Sequence, residues 1–414
     1  MNSSSSSRRL RRGTAAALVA LAIAGASTAL HAQESLRPEI GRPLQAAQAL
    51  IKSQRYKEAL GKVHEAEAAG ARTANETYLI ERMRIAAASG AGDVETAARS
   101  FEALSGTGRV SGPDKLRMIE SIAGGYYRAQ QYAKSMQWSQ RYFREGGNNG
   151  AIRTMLIQSQ YLSGDFAGAA RELMAEIQGA ERSGSPPPED RLKLLLNAAI
   201  RQGDNNAYVF AMEKLVTYHP KKEYWADLLS RMQRKPGFSD RLSLDAYRLS
   251  LASGSMTASA DYMEMAQLAL QADLPTEGKF VVDKGFASGA LGVGAQADRH
   301  KRLRDLVVKR LADDTASRAA DEQQALAAKT GDGLVAVGMN LVYSGQAAKG
   351  VQLIQQGIAK GGLKRVEDAK LHLGIAQLVA GDKAKALATF KTVQGSDGTA
   401  DMARLWSLHA RRSA

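Results

Sequence analysis

The chain has 414 residues and no cysteine, and its formal net charge at pH 7 is +14. A single hydrophobic core stops growing at about 250 to 300 residues, so this length excludes one compact domain and indicates several domains or an elongated repeat array. The absence of cysteine excludes a disulfide framework, a thiolate nucleophile, a cysteine-ligated metal site and a lipidated cysteine behind a leader.

Residues 1–32 have the layout of a secretory signal peptide. Four arginines between positions 8 and 12 precede an uncharged apolar stretch over residues 14–30, and the small residue Ala32 follows. This order predicts cleavage after Ala32, so that the mature chain begins at Gln33 and is periplasmic. The apolar stretch is also just long enough for an uncleaved membrane anchor, which is the alternative.

The mature chain is distinctly basic. Four of the 56 basic residues lie in the signal peptide, which leaves 52 basic and 42 acidic residues and a net charge of +10. In an exported protein this excess favours anionic envelope surfaces or acidic protein patches over nucleic acid as partners. The densest basic cluster, residues 300–304, lies between Asp298 and Asp305, so a solvated helix face is its simpler interpretation.

Helical periodicity runs through almost the whole mature chain. Apolar residues recur at three- and four-residue spacing, interrupted by Gly, Asp, Asn or Pro, without the alternation that is typical of β-strands. There are nine prolines in all, and no segment after the signal has the length and apolarity of a membrane span. We therefore predict an all-α protein with no stable membrane insertion after signal cleavage.

The interruptions are regular, most clearly near the C-terminus. Residues 367–393 form two helical patterns joined at a turn around Gly381. Gly374 in the first is followed by Ala386 and Phe390 in the second, 12 and 16 residues later. Small residues suit points where helix axes approach closely, and larger apolar residues fill the neighbouring space. The pattern resembles tetratricopeptide repeats, which implies a right-handed α-α superhelix of stacked helical hairpins.

The position of Ala386 recurs backward through the chain at intervals of mostly about 36 residues. These marker positions are Gly350, Gly278, Tyr208, Ala169, Ser135, Ala97 and Ala59. Two gaps that are about twice as long each hold one degenerate unit, at residues 221–254 and 301–329, which predicts about ten hairpins. A generic α-solenoid of irregular hairpins is the alternative.

The repeats predict the following organisation after the signal peptide. An N-terminal array spans residues 33–182, a Pro- and Ser-rich loop spans 183–190, a C-terminal array spans 191–397 and a capping helix spans 398–414. Four residues share one face of that last helix, as a cap over the final repeat requires: Met402, Leu405, Trp406 and His409.

No arrangement of residues for catalysis, for a cofactor or for a metal stands out. The histidines of the mature chain are far apart and lack metal-binding spacing, so each is interpreted as a surface or packing residue. Nucleophile elbows, phosphate-binding loops and dinucleotide-binding patterns are missing. Asp313 and Asp314 do not face each other on a helix, and we expect them to start the second helix of a degenerate repeat. The sequence therefore predicts a non-enzymatic protein.

The resemblance also implies a partner-binding groove. In tetratricopeptide stacks the first helix of each hairpin lines a concave surface at fixed offsets. Transfer of those offsets to the third and fourth units selects a groove set: Arg117, Tyr127, Arg128, Gln158 and Tyr161. Tyrosine and arginine combine large contact area with directed hydrogen bonds. Packing between repeats is the alternative, above all for Tyr161, and the apolar stripe over residues 335–343 is interpreted as core.

Residues 219–229 and 357–387 resemble tetratricopeptide proteins that accompany the TonB, ExbB and ExbD energy-transducing systems of Gram-negative bacteria. Export, in-phase repeats and missing catalytic motifs predict a periplasmic scaffold or adaptor that binds a protein or peptide of the cell envelope. The resemblance implies a TonB-like protein or an outer-membrane transporter as that partner. The alternative is a peptidoglycan- or polysaccharide-associated envelope protein.

Overall fold

The structure, a computed structural model, describes residues 36–412, and in that range it contains helices and no β-strand. The predicted signal peptide at residues 1–32 lies outside the described residues. Helices that are adjacent in sequence pack in succession, so the prediction of an all-α stack of helices is confirmed. Within the described range, no helix is both long and apolar enough to cross a bilayer.

The described residues divide into two units, residues 36–129 and 130–412. The first unit contains five helices: α1 (Pro38–Lys52), α2 (Tyr56–Glu67), α3 (Ala74–Ala91), α4 (Val94–Ser105) and α5 (Gly112–Arg128). The second unit begins with α6 (Tyr132–Arg144), α7 (Gly150–Ser163), α8 (Phe166–Arg182), α9 (Glu189–Gln202), α10 (Asn205–Tyr218), α11 (Lys222–Gln233) and α12 (Ser243–Ala252). It continues with α13 (Ser259–Gln271), α14 (Pro275–Ala287), α15 (Ala297–Ala327), α16 (Asp332–Val342), α17 (Ala347–Lys360), α18 (Val366–Val379), α19 (Lys383–Phe390) and α20 (Thr399–Ala410).

The marker positions show that the predicted repeat phase is correct. All eight marker residues are buried, and each is the fourth residue of its helix. They are Ala59, Ala97, Ser135, Ala169, Tyr208, Gly278, Gly350 and Ala386. Seven of the eight are small, as close helix packing requires. Tyr208 is the large exception, and its hydroxyl donates a hydrogen bond to Asp227. The sequence periodicity thus predicted both where these helices begin and which side they bury.

A Gly-Asp turn sets the helix start in four of these cases. The glycines of these turns have φ between 74° and 89° and are Gly92, Gly164, Gly203 and Gly381. Glycine adopts this left-handed conformation more easily than other residues. The aspartate that follows caps the next helix, as where Asp382 Oδ1 accepts a hydrogen bond from the Lys385 backbone N–H at 3.1 Å. The marker residue then follows four positions after the capping aspartate.

Helices α16 and α17 approach each other through glycines. A Cβ added to Gly338 would lie 2.8 Å from the Gly350 carbonyl oxygen, and one added to Gly350 would lie 2.5 Å from the Gly338 carbonyl oxygen. About two helical turns away, a Cβ on Gly357 would lie 2.7 Å from the Gly331 carbonyl oxygen. Real Cβ atoms do not approach other atoms this closely. Glycine at these positions is therefore what allows α16 and α17 to pack at this short distance.

Helix α15 corrects the prediction for the degenerate unit at residues 301–329, because it is one helix of 31 residues and not a hairpin. It contains no glycine or proline to interrupt it. Asp313 and Asp314 lie in its middle and do not start a second helix; Asp314 accepts a hydrogen bond from Arg318 at 2.6 Å. Four of its residues are buried: His300, Leu303, Val307 and Ala325. The other degenerate unit, residues 221–254, contains the two packed helices α11 and α12.

The last helices of the second unit return to its middle helices, an arrangement we call the fold-back. As expected of a cap, α20 packs on α18 and α19, but it also contacts α10 and α12. Arg404 on α20 pairs with Glu213 on α10, and Asp401 pairs with Lys235 at 2.7 Å. In a simple solenoid each repeat contacts its sequence neighbours alone. The fold-back therefore adds contacts that the repeat pattern does not predict.

The Pro-rich segment lies inside the second unit. It connects α8 to α9, and these two helices pack against each other. The boundary between the two units falls after Ala129, between α5 and α6. The organisation into two arrays separated at residues 183–190 stays a prediction.

The glycine contact between α16 and α17 can be tested with Gly338→Ala. We expect the free energy of unfolding of the second unit to fall by about 1–3 kcal/mol, because the new methyl group must displace the Gly350 carbonyl. Urea unfolding followed by tryptophan fluorescence reports this unit, since Trp138, Trp225 and Trp406 all lie in it.

The matched control is Gly179→Ala in α8. A Cβ there meets its first neighbour, Arg182 Nη2, at 4.0 Å. This variant should be as stable as the parent or more stable by up to about 1 kcal/mol, the helix-propensity gain of alanine. Equal urea midpoints for the two variants would contradict the close approach.

Candidate functional site

Three members of the groove set lie on α5 of the first unit. Arg117 and Arg128 are exposed and lie about three helical turns apart, so they share one face of the helix. The Arg117 side chain is 61% exposed and forms an ion pair with Asp114. Tyr127 is half-buried. The structure thus places two exposed cations and a tyrosine on one helix, which is compatible with a contact surface and does not test it.

The other two members lie on α7 of the second unit. Gln158 is exposed, whereas Tyr161 is half-buried. The Tyr161 ring meets Phe166 edge to face at a centroid distance of 5.3 Å and packs against the core. Tyr161 therefore makes the packing contacts that were the alternative to its predicted role in partner binding. Of the apolar stripe near the C-terminus, Met339 and Val342 are buried, as predicted for core residues.

A cleft that the sequence did not single out lies in the second unit, between α12, α16 and α18. We call it the α12–α18 cleft, and its volume is about 350 Å³. Six of its lining residues are apolar, and we call them together the apolar wall: Leu244, Leu274, Val335, Ala336, Met339 and Leu363. The remaining lining is mostly charged, with residues of both signs. The cleft thus offers both apolar and charged side chains.

A buried ion network forms the base of the cleft. The Arg248 guanidinium donates two hydrogen bonds to Glu277, from Nε at 2.7 Å and from Nη2 at 2.6 Å. Its Nη1 donates to Asp245 Oδ1 at 2.7 Å. The three side chains are between 0% and 4% exposed. A buried charge is tolerated when it is paired and hydrogen-bonded, and here one cation meets two carboxylates.

The network reaches α18 through His372. Its Nε2 lies 3.1 Å from Asp245 Oδ1. Burial alone would raise the pKa of Asp245, but the charges of His372 and Arg248 outweigh burial and lower that pKa to about 2. Burial likewise opposes the charged form of Arg248, yet Glu277 and Asp245 raise the pKa of Arg248 well above its ordinary value. Both groups are therefore ionised at neutral pH.

A second arginine clamps the same helices from the side. Arg241 donates two hydrogen bonds to Asp368 on α18, each at 2.8 Å, and one to Asp397 at 2.6 Å. The hydrogen bonds to Asp368 raise the pKa of Arg241 above its ordinary value. A hydrogen bond from Thr399 lowers the pKa of Asp397 to about 2. The fold-back is thus held by fixed charges beside the cleft.

The charged side chains at the rim of the cleft are more exposed than those at its base. Lys364 and Arg365 are exposed, and the Arg365 side chain is 58% exposed with its guanidinium 4.0 Å from Asp368. Asp332 accepts a hydrogen bond from the Lys364 backbone N–H at 3.2 Å. Surface charges of this kind steer a charged partner and contribute little to stability.

The side chains of the cleft suit binding by apolar contact and ion pairing. Its lining contains no serine, threonine, cysteine or tyrosine. Over residues 36–412, no group of three or more His, Cys, Asp or Glu side chains has the arrangement of a metal site. Apolar contact at one wall and ion pairing at the rim are what these residues offer to a ligand.

One local signal pointed to this network. Asp245 and Arg248 lie three residues apart in a helix that is otherwise largely apolar, and Glu277 lies in the first turn of α14 among small and apolar residues. Charges placed on a buried helix face imply partners elsewhere. The sequence does not identify those partners, because His372 and Asp245 are 127 residues apart.

No protein-family model and no curated protein matches the chain. Among solved structures, yeast Tom70 is 11% identical, covering 89% of this chain and 95% of that chain, with a TM-score of 0.25. The TPR2AB domain of yeast Sti1, in its pHSP90 complex, is 13% identical over 73% of this chain and all of that one, with a TM-score of 0.23. The TPR domain of P58(IPK) is 9% identical over 90% of this chain and 97% of that one, with a TM-score of 0.23. Similarities this low carry no argument about partner or activity.

Replacement of the buried arginine by Arg248→Met tests the ion network. Glu277 and Asp245 would remain buried without their cation, so we expect the free energy of unfolding to fall by about 3–5 kcal/mol. Arg201→Met removes an exposed arginine of α9 and should change the free energy of unfolding by less than about 0.5 kcal/mol. Urea unfolding followed by tryptophan fluorescence measures both, and a loss below about 1 kcal/mol for Arg248→Met would count against a stabilising network.

The lowered pKa of Asp245 predicts an acid-sensitive second unit. A carboxyl whose pKa is lower in the folded state stabilises that state above its ordinary pKa, near 4, and loses this contribution as pH falls toward 2. The urea midpoint should therefore drop between about pH 4 and pH 2. Asp245→Asn should flatten that drop, whereas Asp313→Asn, an exposed carboxyl on α15, should leave it unchanged. Parallel curves for the parent and Asp245→Asn would show that other groups cause the drop.

Proposed function

We propose that this protein is a non-enzymatic scaffold of the periplasm that holds a segment of a partner protein or peptide in the α12–α18 cleft. The composition of the cleft supports this most directly. An apolar wall and a rim with charges of both signs match a peptide in which one large apolar residue is flanked by charged residues.

The arrangement of the walls favours a preformed site. Met339 is buried on α16, whose spacing from α17 is set by glycines, and Asp245 and Asp368 are held by Arg248 and Arg241. Walls that are already ordered need not lose conformational freedom on binding, so most of the ordering cost falls on the partner. A scaffold of this kind can bind a flexible segment without rearranging.

The cellular setting of the proposal comes from the sequence. The signal-like residues 1–32 support export, and the resemblance of residues 219–229 and 357–387 supports a role in TonB-linked transport. The second of these segments supplies part of the cleft, from Leu363 to His372. We extend the proposal to Arg117, Tyr127 and Arg128 as a further contact region for the same partner or another one.

The alternative is an envelope protein associated with peptidoglycan or a polysaccharide. The exposed cations of α15 are the observation that favours an anionic partner of some kind. That surface is distinct from the cleft, so each can be tested without the other.

A capture experiment tests the cleft. The full chain is immobilised and exposed to envelope extract, captured proteins are identified, and overlapping peptides of each are measured for binding by fluorescence anisotropy. Ala336→Trp places a large ring at the apolar wall and should weaken a cleft-binding peptide at least tenfold, about 1.4 kcal/mol. Ala320→Trp makes the same change at an exposed site on α15 and should leave affinity unchanged.

The remaining outcomes are equally specific. Loss of binding in Tyr127→Ala and Arg128→Ala, with Ala336→Trp unaffected, would move the partner to the groove set. Equal binding by all variants would reject both surfaces. Chemical turnover of a captured peptide by the purified chain, lost with His372→Gln, would contradict the non-enzymatic assignment.

A further inference from the structure

Helix α15 stands out because a single helix replaces a hairpin. At 31 residues it is the longest helix of the described chain, and most of its residues are exposed. Its buried residues, His300, Leu303, Val307 and Ala325, follow one stripe along the helix. Among residues 36–412, no helix covers the opposite sides of α15, since their side chains are exposed.

Four cations share one exposed side of its first half. They are Arg299, Arg302, Lys309 and Arg310, which we call the positive face. At 100° per residue these positions fall within an arc of about 100°, and they extend along about 17 Å of the helix axis. The arc excludes the buried stripe, so all four side chains can reach solvent.

The cations of the positive face are not neutralised locally. None of the four forms an ion pair with a side chain of the described residues. The carboxylates at the edge of the face turn to other partners: Asp298 lies 3.8 Å from Lys301, and Asp305 lies 3.9 Å from Arg304. Arg304 in turn lies over the Phe286 ring, 4.9 Å from its centroid. Asp313 lies within the same arc, one turn after Lys309 and Arg310, and is the one exposed carboxylate on the face itself.

An exposed apolar side chain sits among these cations. Leu306 is 47% exposed, and its position on the helix places it between Arg302 and Arg310, one turn from each. Val293, in the turn just before α15, is 59% exposed, more than any other large apolar side chain of the described residues that is classed as exposed. Exposed apolar groups within a basic patch are typical of surfaces that meet a lipid headgroup layer.

We propose that the positive face of α15 binds the anionic phospholipid surface of a membrane, with Leu306 entering the headgroup region. Phospholipid phosphates supply the missing counter-charges, and the headgroup layer takes up an apolar side chain. An anionic polysaccharide would pair with the cations but offers nothing to Leu306. A second copy of this chain, meeting face to face, would bring cations against cations. The binding is peripheral and independent of the cleft.

The lack of cysteine makes a local test possible. Leu306→Cys is the sole thiol in its chain and can carry an environment-sensitive dye. Vesicles of equimolar phosphatidylglycerol and phosphatidylcholine should shift the dye emission to the blue, whereas phosphatidylcholine vesicles should not. Leu326→Cys, on the second half of the same helix and 48% exposed, should show neither shift. Because the signal is local, binding through the N-terminal segment does not mimic it.

Affinity measurements give the second arm. The fourfold variant Arg299→Gln, Arg302→Gln, Lys309→Gln and Arg310→Gln should raise the vesicle concentration needed for the blue shift of the dye at position 306 by about 100-fold or more. A control variant loses the same number of positive charges elsewhere in the second unit. In it, four exposed arginines are changed to glutamine: Arg171, Arg182, Arg201 and Arg234. It should keep the parent response, and added salt should weaken binding by the parent chain.

Three results would overturn the proposal. They are a dye at position 306 that does not respond to the anionic vesicles, an equal response at position 326, and an equal loss in the control variant. A response at position 306 to a soluble anionic polysaccharide, without one to vesicles, would assign the face to a polymer and reject the membrane.

Discussion

Arg248 places a full positive charge inside the second unit, and a charge buried to this degree is tolerated only where its partners are fixed. Glu277 comes from α14 and Asp245 from α12, and His372 continues the network to α18. One side chain therefore links α12, α14 and α18, the last of which lies more than a hundred residues from α12 in sequence. The apolar wall of the cleft is arranged around this point, since Leu244 lies beside Asp245 and Val335 and Met339 face the same opening.

The fold-back changes the energetics expected of a helical array. In a linear array, stability is a sum of repeat terms and neighbour interfaces, and local segments can open independently. Here Arg241, Arg404 and Lys235 connect helices separated by more than a hundred residues. Contacts of such high sequence separation form late and couple distant hairpins, so the second unit should open with more cooperativity than a simple stack.

The sequence predicted what local rules decide. A capping aspartate, a turn glycine and a small fourth residue repeat along the chain, and these features correctly located the hairpins around Ala169 and Ala386. The prediction was wrong for residues 301–329, where a periodic pattern without a breaker forms one long helix. The cleft was not predictable for a different reason. Its residues are joined by ion pairs between α12, α14 and α18, and periodicity within a helix does not indicate which distant helix it meets.

The closing position of α20 has a consequence for how the chain is made. Synthesis proceeds from the N-terminus, so α10–α12 are complete while the helix that covers them is still missing. Until residues 399–410 emerge, Glu213 lacks its arginine and the ring of Trp225 lacks the neighbouring His409. The second unit is therefore complete only after residues 399–410 have been made, and a chain interrupted before them would expose an apolar surface that quality-control proteases can recognise.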